Sequence, residues 1–195
     1  MPFRPRVDGS LEFRSEAPLG PFSRDPSEYV TKHRVTLKAL VESDEGDLGE
    51  VKAGRLTVLQ IHDVAALNNR VPVREVCDCH SDALYSLFTE LFDAKGELKD
   101  GLDFEPGYSG IIIVANARIE DAYKDTKLLA QAIESVATML CPQGLIVVPK
   151  SVALQLSPEE IEGLGLQDMR PVHIHDSQPW IYIRDNNCVA PGIGD

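Results

Sequence analysis

The sequence predicts an α/β fold, a single domain in which helices cover both faces of a mixed β-sheet. Alternating apolar residues over 33–62 are typical of antiparallel strands with one buried face. Two nearly continuous apolar runs, 110–117 and 144–148, are typical of central strands buried on both faces, and a strongly periodic helix lies between them. A chain of 195 residues is long enough to bury a sizeable core in one such domain.

Residues 1–30 are expected to form an extended arm ahead of the domain, which spans residues 31–195. Prolines at positions 2, 5, 18, 21 and 26 interrupt every helix that could form there, because each removes a backbone donor and restricts the residue before it. The apolar residues of the arm are compatible with packing against its own domain or with exchange of the arm between two copies of the chain. A homo-oligomer is therefore a possible assembly.

Two strands joined by a turn follow the arm. Apolar residues alternate with polar ones over His33–Val41, and the same period returns over Arg55–His62. The polar, glycine-containing segment Glu42–Glu50 between them is typical of a turn. Together these segments predict an antiparallel meander.

Helices and buried strands then alternate along the chain. Apolar residues recur at helical spacing over Asp82–Phe92, with Ser81 placed as the N-cap. The apolar run Gly110–Ala117, the periodic segment Thr126–Leu140 and the apolar run Gly144–Val148 predict a strand, a helix and a strand.

The chain is predicted to close with a short helix and a hairpin. Ser157-Pro158-Glu159-Glu160 has the residues of a capping box, with proline at the first helical position. Residues 171–175 and 180–184 are expected to be the two strands of the hairpin.

The charge balance argues against several partners. A net charge of −12 disfavours binding to nucleic acid or to an anionic membrane through the overall field. Arg4, Arg6, Arg14 and Arg24 are interleaved with acidic residues and predict no basic patch. The longest apolar run, Ile111–Ala115, is far shorter than the roughly 20 residues of a membrane span. Four cysteines without a visible secretory signal indicate a cytoplasmic protein.

One segment has a pattern that suits phosphate binding. Over Gly110–Pro149 a buried strand leads into a helix N-terminus, where exposed amides form an anion site, and then into a second buried strand. Here the chain resembles the GNAT superfamily of acyl-CoA-dependent N-acyltransferases. The resemblance rests on three stretches. Val73–Phe92 looks like the long helix that one branch of the family has before its cofactor strand. Ile111–Leu140 looks like the cofactor strand with its loop and helix, and Gly163–Arg184 looks like the closing hairpin. The resemblance covers residues 33–186 loosely and implies a GNAT-like, mostly antiparallel sheet of about six or seven strands.

The resemblance also implies a site for acetyl-CoA or another acyl-CoA. The family's loop reads Arg/Gln-x-x-Gly-x-Gly/Ala, which corresponds to positions 124–129 here. Lys127 and Leu129 stand where the family has small residues, so both add a side chain where the backbone should approach phosphate. Asp125 adds a negative charge, and Lys124 with Lys127 is the only local positive site that the sequence indicates. The residues implied at this site are Arg118, Ile119, Lys124, Asp125, Thr126, Lys127 and Leu128.

Members of this family transfer an acyl group to an amine, which here is an unknown small-molecule or protein acceptor. The reaction needs a base for the amine and often a tyrosine that protonates the departing thiolate. Glu120, at the end of the cofactor strand, is the candidate base, although a solvated loop carboxylate would have the same pattern. The short helix over 158–163 contains no tyrosine, so Tyr123 is taken as the candidate acid, with Tyr182 as a strand residue.

Two other functions stay open. If the loop over 124–129 no longer binds coenzyme A, the protein would be a non-catalytic GNAT-like module that acts through protein contacts. Cys77-Asp78-Cys79-His80 and His173-Ile174-His175 contain zinc-ligand residue types, but zinc thiolates are usually two or more residues apart, so no metal is expected. The acidic turn Glu42–Glu50 lacks the spaced ligands of a calcium loop.

Overall fold

The computed structural model describes residues 9–17, 21–42, 48–93, 99, 110–169 and 181–185. The strands are β1 (Gly9–Glu16), β2 (Val30–Glu42), β3 (Leu48–Ile61), β4 (Ile111–Ile119), β5 (Leu145–Pro149), β6 (Gln167–Met169) and β7 (Ile181–Asp185). The helices are α1 (Asp63–Asn68), α2 (Val73–His80), α3 (Asp82–Leu91), α4 (Leu128–Leu140), α5 (Lys150–Ala153) and α6 (Pro158–Gly163). Single 3₁₀ turns lie at Pro26–Tyr29 and Asp121–Tyr123.

The strands form a mixed sheet in the order β1-β2-β3-β4-β5-β7-β6. Strands β4 and β5 are parallel, and the other pairings among the described residues are antiparallel. The predicted α/β class is therefore confirmed. Among the described residues, none of the helices combines enough length and apolar character for a membrane span.

Helices cover both faces of the sheet because the central strands are apolar on both sides. Ile112 and Val114 of β4 belong to a core cluster that includes α4 and α5, with α6 packed at its border. Ile111 and Ile113 belong to a second cluster, which is built with α1, α2 and α3. A strand buried on both faces has no polar alternation, which explains the continuous apolar runs in the sequence.

The segment expected to be an extended arm includes the edge strand β1. It pairs antiparallel with β2 along its whole length. Leu11 and Phe13 of β1 pack against the core cluster that contains α4. Residues 1–8 and 18–20 lie outside the described residues.

Strands β2 and β3 are longer than the alternation in the sequence indicates. The tip between them, 43–47, which belongs to the predicted acidic turn, lies outside the described residues. A β-bulge opposite Leu37 and Lys38 inserts Ala53 into β3. Because of this extra residue, Lys52 and Arg55 both lie on the face away from the α4 cluster.

Two helices begin where local signals in the sequence predict. Ser81 caps α3 by accepting a hydrogen bond from the amide of Leu84 at 3.2 Å. Ser157 and Glu160 form the predicted capping box of α6. The single helix over 73–92 that the resemblance implies does not form, because the predicted N-cap Ser81 is extended, with a φ of −172°, and separates α2 from α3. The chain also forms α1, which the sequence reading missed.

The end of the chain is described in part. Strand β7 lies in the predicted second strand of the closing hairpin and pairs with both β5 and β6. The predicted first strand, 171–175, lies outside the described residues, and so does Trp180.

Candidate functional site

Strands β4 and β5 run side by side for a short distance and then separate at their carboxyl ends. Their pairing begins at Ile111 with Leu145 and ends at Ile113 with Val147. Strand β4 then continues to Ile119 along β3, whereas the chain after β5 turns directly into α5. Crevices outside the carboxyl ends of parallel strands are frequent ligand sites in α/β proteins. The candidate site therefore lies at the end of β4, where the predicted residues are.

The start of the parallel pair depends on a glycine. A Cβ atom on Gly144 would lie 2.4 Å from the carbonyl oxygen of Gly110 and 2.1 Å from Cys141 Sγ. The amide of Leu145 donates a hydrogen bond to the same Gly110 oxygen at 3.0 Å. A larger residue at 144 would push β5 away from β4, so this glycine allows the parallel pairing to form.

The chain itself fills part of the crevice. Helix α5 packs against both β4 and β5, with Val152 and Ala153 buried in the core. Beyond α5, Gln155 Nε2 donates a hydrogen bond to the carbonyl oxygen of Ala117 at 3.1 Å. A ligand that bonded to the Ala117 carbonyl would have to displace the Gln155 side-chain amide.

Several backbone amides of the loop between β4 and α4 donate hydrogen bonds to acceptors within the same loop. The Tyr123 amide donates to the Glu120 carbonyl at 2.9 Å, and the Thr126 amide donates to the Tyr123 carbonyl at 3.1 Å. The Thr126 hydroxyl also donates to the Tyr123 carbonyl, at 2.7 Å, and accepts from the Leu128 amide at 3.4 Å. An anion at the start of α4 would therefore compete with Thr126 for the Leu128 amide.

The charges of this loop cancel locally. Lys124 Nζ lies 2.6 Å from Asp121 Oδ1, and this contact lowers the pKa of the Asp121 carboxyl. Both side chains are exposed, so the ion pair is weak in water. Lys127 and Asp125 are also exposed. Two positive and two negative side chains leave the predicted anion site without an excess of positive charge.

Leu128 and Leu129 do not line the anion site with their side chains. They are 6% and 3% exposed and lie in the core cluster beneath α4. The expectation that the Leu129 side chain crowds a bound phosphate is therefore wrong, because this side chain points towards the sheet. Of the two residues that differ from the family pattern, only Lys127 has its side chain in solvent.

The remaining predicted residues are spread over two sides of β4. Ile119 is buried in the core, whereas Arg118 is exposed on the opposite face. The Glu120 side chain is exposed, and its amide donates to the Ala53 carbonyl at 2.9 Å. Tyr123 is half-buried against the core. Among the described residues, no side-chain hydrogen bond joins Glu120 to Tyr123.

The cysteine and histidine cluster does not assemble a ligand set in the described part of the chain. Cys77 is buried on α2, and this burial raises the pKa of its thiol to about 12. Cys79 and His80 are exposed. Within the described ranges, no group of three or more ligand side chains converges. The predicted His173 and His175 lie outside those ranges.

A partly buried polar chain at the other end of α4 was not predicted. Gln60 Nε2 donates to the Leu140 carbonyl at 2.9 Å, which turns Gln60 Oε1 towards His33 Nε2 at 3.1 Å. Because Oε1 can only accept, His33 Nε2 donates this hydrogen bond, and His33 Nδ1 lies 2.8 Å from the Ser15 hydroxyl oxygen. The chain satisfies a carbonyl at the end of a helix, so its role is structural.

The sequence reading also missed a basic surface. Strands β1 to β4 place five basic side chains around an open cavity of about 820 Å³ on the face away from α4. This surface, the basic face, consists of Arg14, Arg34, Lys52, Arg55 and Arg118. The expectation of no basic patch is therefore wrong for Arg14. Each arginine follows or precedes an apolar residue that lies in the core or packs against it, which is a visible signal, but only the strand register brings the five basic residues together.

No family model, no curated protein and no solved structure matches this chain.

Proposed function

We propose that the protein is a GNAT-like protein that binds an acyl-CoA in the crevice between β4 and β5, with the diphosphate towards the start of α4. The observation that carries this proposal is the separation of the two parallel strands after Ile113 and Val147. It leaves the carboxyl-terminal half of β4 unpaired by β5, beside a helix N-terminus. Helix N-termini attract phosphate through free amides and the helix dipole.

The loop fits such a ligand in part. The exposed ammonium groups of Lys124 and Lys127 suit a diphosphate, and the side chains of Leu128 and Leu129 leave the approach open because they point into the core. The bond from the Leu128 amide to Thr126, at 3.4 Å, is long enough to be exchanged for a charged acceptor.

The proposed activity is transfer of the acyl group to an amine. Glu120 would take the proton that the attacking amine loses as the amide bond forms, because it is exposed at the end of β4. Tyr123 would supply a proton to the sulfur as the carbon–sulfur bond breaks. Glu120→Gln should then abolish transfer and leave acyl-CoA binding unchanged, measured by product formation and by calorimetry.

Acyl-CoA binding is tested on the full chain by thermal denaturation with acetyl-CoA and longer acyl-CoAs. A ligand at 100 times its Kd should stabilise the fold by about 2.7 kcal/mol. Lys124→Gln with Lys127→Gln should weaken binding about tenfold or more, since neither side chain can then donate a charge-assisted hydrogen bond to the diphosphate. The control Arg24→Gln with Arg70→Gln removes the same charge from exposed positions elsewhere and should bind as the wild type does. No stabilisation at any acyl length would contradict the proposal.

A second function, a non-catalytic GNAT-like module that acts through protein contacts, is favoured by a specific observation. Gln155 already donates a hydrogen bond to the Ala117 carbonyl in the crevice, and Lys124 already forms an ion pair with Asp121. Gln155→Ala distinguishes the two functions, because it removes the side chain that an acyl-CoA would have to displace. Stronger acetyl-CoA binding by this variant supports the first function. No binding by either wild type or variant supports the second.

A further inference from the structure

The basic face contains two like-charge pairs in directly opposed positions. In the strand register, Arg14 lies opposite Arg34 across β1 and β2, and Arg55 lies opposite Arg118 across β3 and β4. Side chains in such positions have their Cβ atoms about 5 Å apart, and like charges there destabilise a sheet. Two such pairs in a chain with a net charge of −12 are unexpected unless the surface meets an anion.

Of the acidic residues near the basic face, one pairs with a member of it and one pairs with a lysine beside it. Glu16 pairs with Arg34 at 2.9 Å. Glu12, which lines the cavity, pairs with Lys38 at 3.0 Å, on the margin of the basic face. Among the described residues, no ion pair within 4.0 Å involves the other four members of the basic face. Arg118 acts on Asp121 only as a minor cause of the lowered pKa of that carboxyl.

The neutral residues of the cavity also suit an anion. Thr36, Thr57 and Asn116 lie in the same rows as the arginines and add hydroxyl and amide donors. Four strands at a spacing of about 4.8 Å give the surface a width of roughly 14 Å. The cavity volume of about 820 Å³ is within the range of small-molecule sites.

We propose that the basic face binds a compact organic anion that carries two or more phosphate groups. Guanidinium groups match phosphate oxygens with two parallel hydrogen bonds, and four of the five cations are arginines. No residue of the loop over 120–128 lines this cavity, and the proposal does not rest on the proposed acyl-CoA binding.

Larger polyanions fit this surface less well. Single-stranded nucleic acid binds through aromatic stacking platforms, but the one aromatic residue of the cavity lining, Phe13, packs against the core on the opposite face. An acidic protein partner would need apolar anchors, and the outward side chains of the basic face are polar. The net charge of −12 also repels an extended polyanion beyond the basic face more than a compact one.

The test is calorimetric titration of the full chain with inorganic tripolyphosphate and, separately, with a nucleoside triphosphate. Binding of both probes assigns the recognition to the phosphate groups, and binding of the nucleoside triphosphate alone assigns it to the whole nucleotide; either supports the proposal. Arg14→Gln with Arg55→Gln should weaken binding about a hundredfold, at about tenfold for each guanidinium that no longer bonds to phosphate. Lys124→Gln with Lys127→Gln, which removes the same charge from the α4 loop, should change the affinity less than about threefold, because neither lysine lines the cavity.

Three results would overturn the proposal. The first is that the wild type binds neither probe. The second is that both double variants lose the same affinity, and the third is that the lysine variant loses more affinity than the arginine variant. The arginines are exposed, so both variants are expected to fold, and Arg55→Lys keeps the charge as a further control. Acetyl-CoA binding should be unchanged in the arginine variant, so that failure of this site and failure of the acyl-CoA site give different results.

Discussion

Replacing Leu129 with glycine should unfold the protein more readily, whereas replacing Lys127 with glycine should not. Leu129 is 3% exposed in the core cluster beneath α4. Truncation of a buried leucine to alanine costs about 2–5 kcal/mol, and glycine in place of alanine inside a helix adds about 1 kcal/mol. The sum, about 3–6 kcal/mol, is a large share of the roughly 5–15 kcal/mol by which domains are stable.

Lys127 differs because its side chain is exposed and it precedes the first residue of α4. Glycine is well tolerated at that N-cap position, so Lys127→Gly should change the free energy of unfolding by less than about 0.5 kcal/mol. It is therefore the variant that tests the role of this side chain in a folded protein. Because the proposed site uses the Lys127 ammonium, Lys127→Gly should weaken acetyl-CoA binding, and a gain in affinity would show instead that the side chain hinders the diphosphate.

Urea denaturation followed by circular dichroism measures both effects. A lower midpoint with an unchanged slope identifies a loss of stability rather than a change in the unfolded state. Leu129→Ala is the control that separates the cavity from the glycine backbone effect. A Leu129→Gly variant within about 1 kcal/mol of the wild type would refute the assignment of this side chain to the core.

Three further predictions concern buried polar groups and thiols. Gln60→Leu should lower the free energy of unfolding by about 2–4 kcal/mol, because it leaves the buried His33 ring and the half-buried Leu140 carbonyl without these hydrogen bonds. Ser15→Ala, at an exposed position, should cost under about 1 kcal/mol, and equal losses in urea denaturation would contradict this. Burial raises the pKa of the Asp63 carboxyl above 3.8, so its contribution to stability is present below pH 3.8 and is lost as the pH rises through the folded-state pKa. Asp63→Asn should reduce this fall in stability above pH 3.8, and an unchanged profile of stability against pH would refute the assignment. Burial raises the pKa of Cys141 to about 12, so iodoacetamide at about pH 8 should modify Cys79 in the native protein and spare Cys141, as measured by peptide mass spectrometry.

The elements that could be predicted from the sequence are those with local signals. Ser81 before α3 and the Ser157–Glu160 capping box of α6 act over three residues, so the sequence alone determines them. Strands β4 and β5 were predicted because burial on both faces makes a strand continuously apolar.

The site residues could be predicted only in part, because strand register depends on contacts between distant parts of the chain. The end of β4 was predicted from a single continuous segment. The polar chain through His33 and Gln60 needs β1, β2, β3 and the end of α4 in their final positions. The direction of the Leu129 side chain also follows from where α4 lies on the sheet, and a one-dimensional comparison with a loop pattern cannot supply it.

The overall charge and the basic face are compatible because they act over different distances. Screening reduces the field of exposed charges within about 8–10 Å in physiological salt, which is shorter than the roughly 14 Å width of four strands. A small anion on the basic face is therefore governed by the nearest arginines, whereas the net charge of −12 governs how readily a long polyanion approaches. The acidic composition excludes extended partners more strongly than compact ones, and it gives no reason to exclude an anion site where strand pairing concentrates the opposite charge.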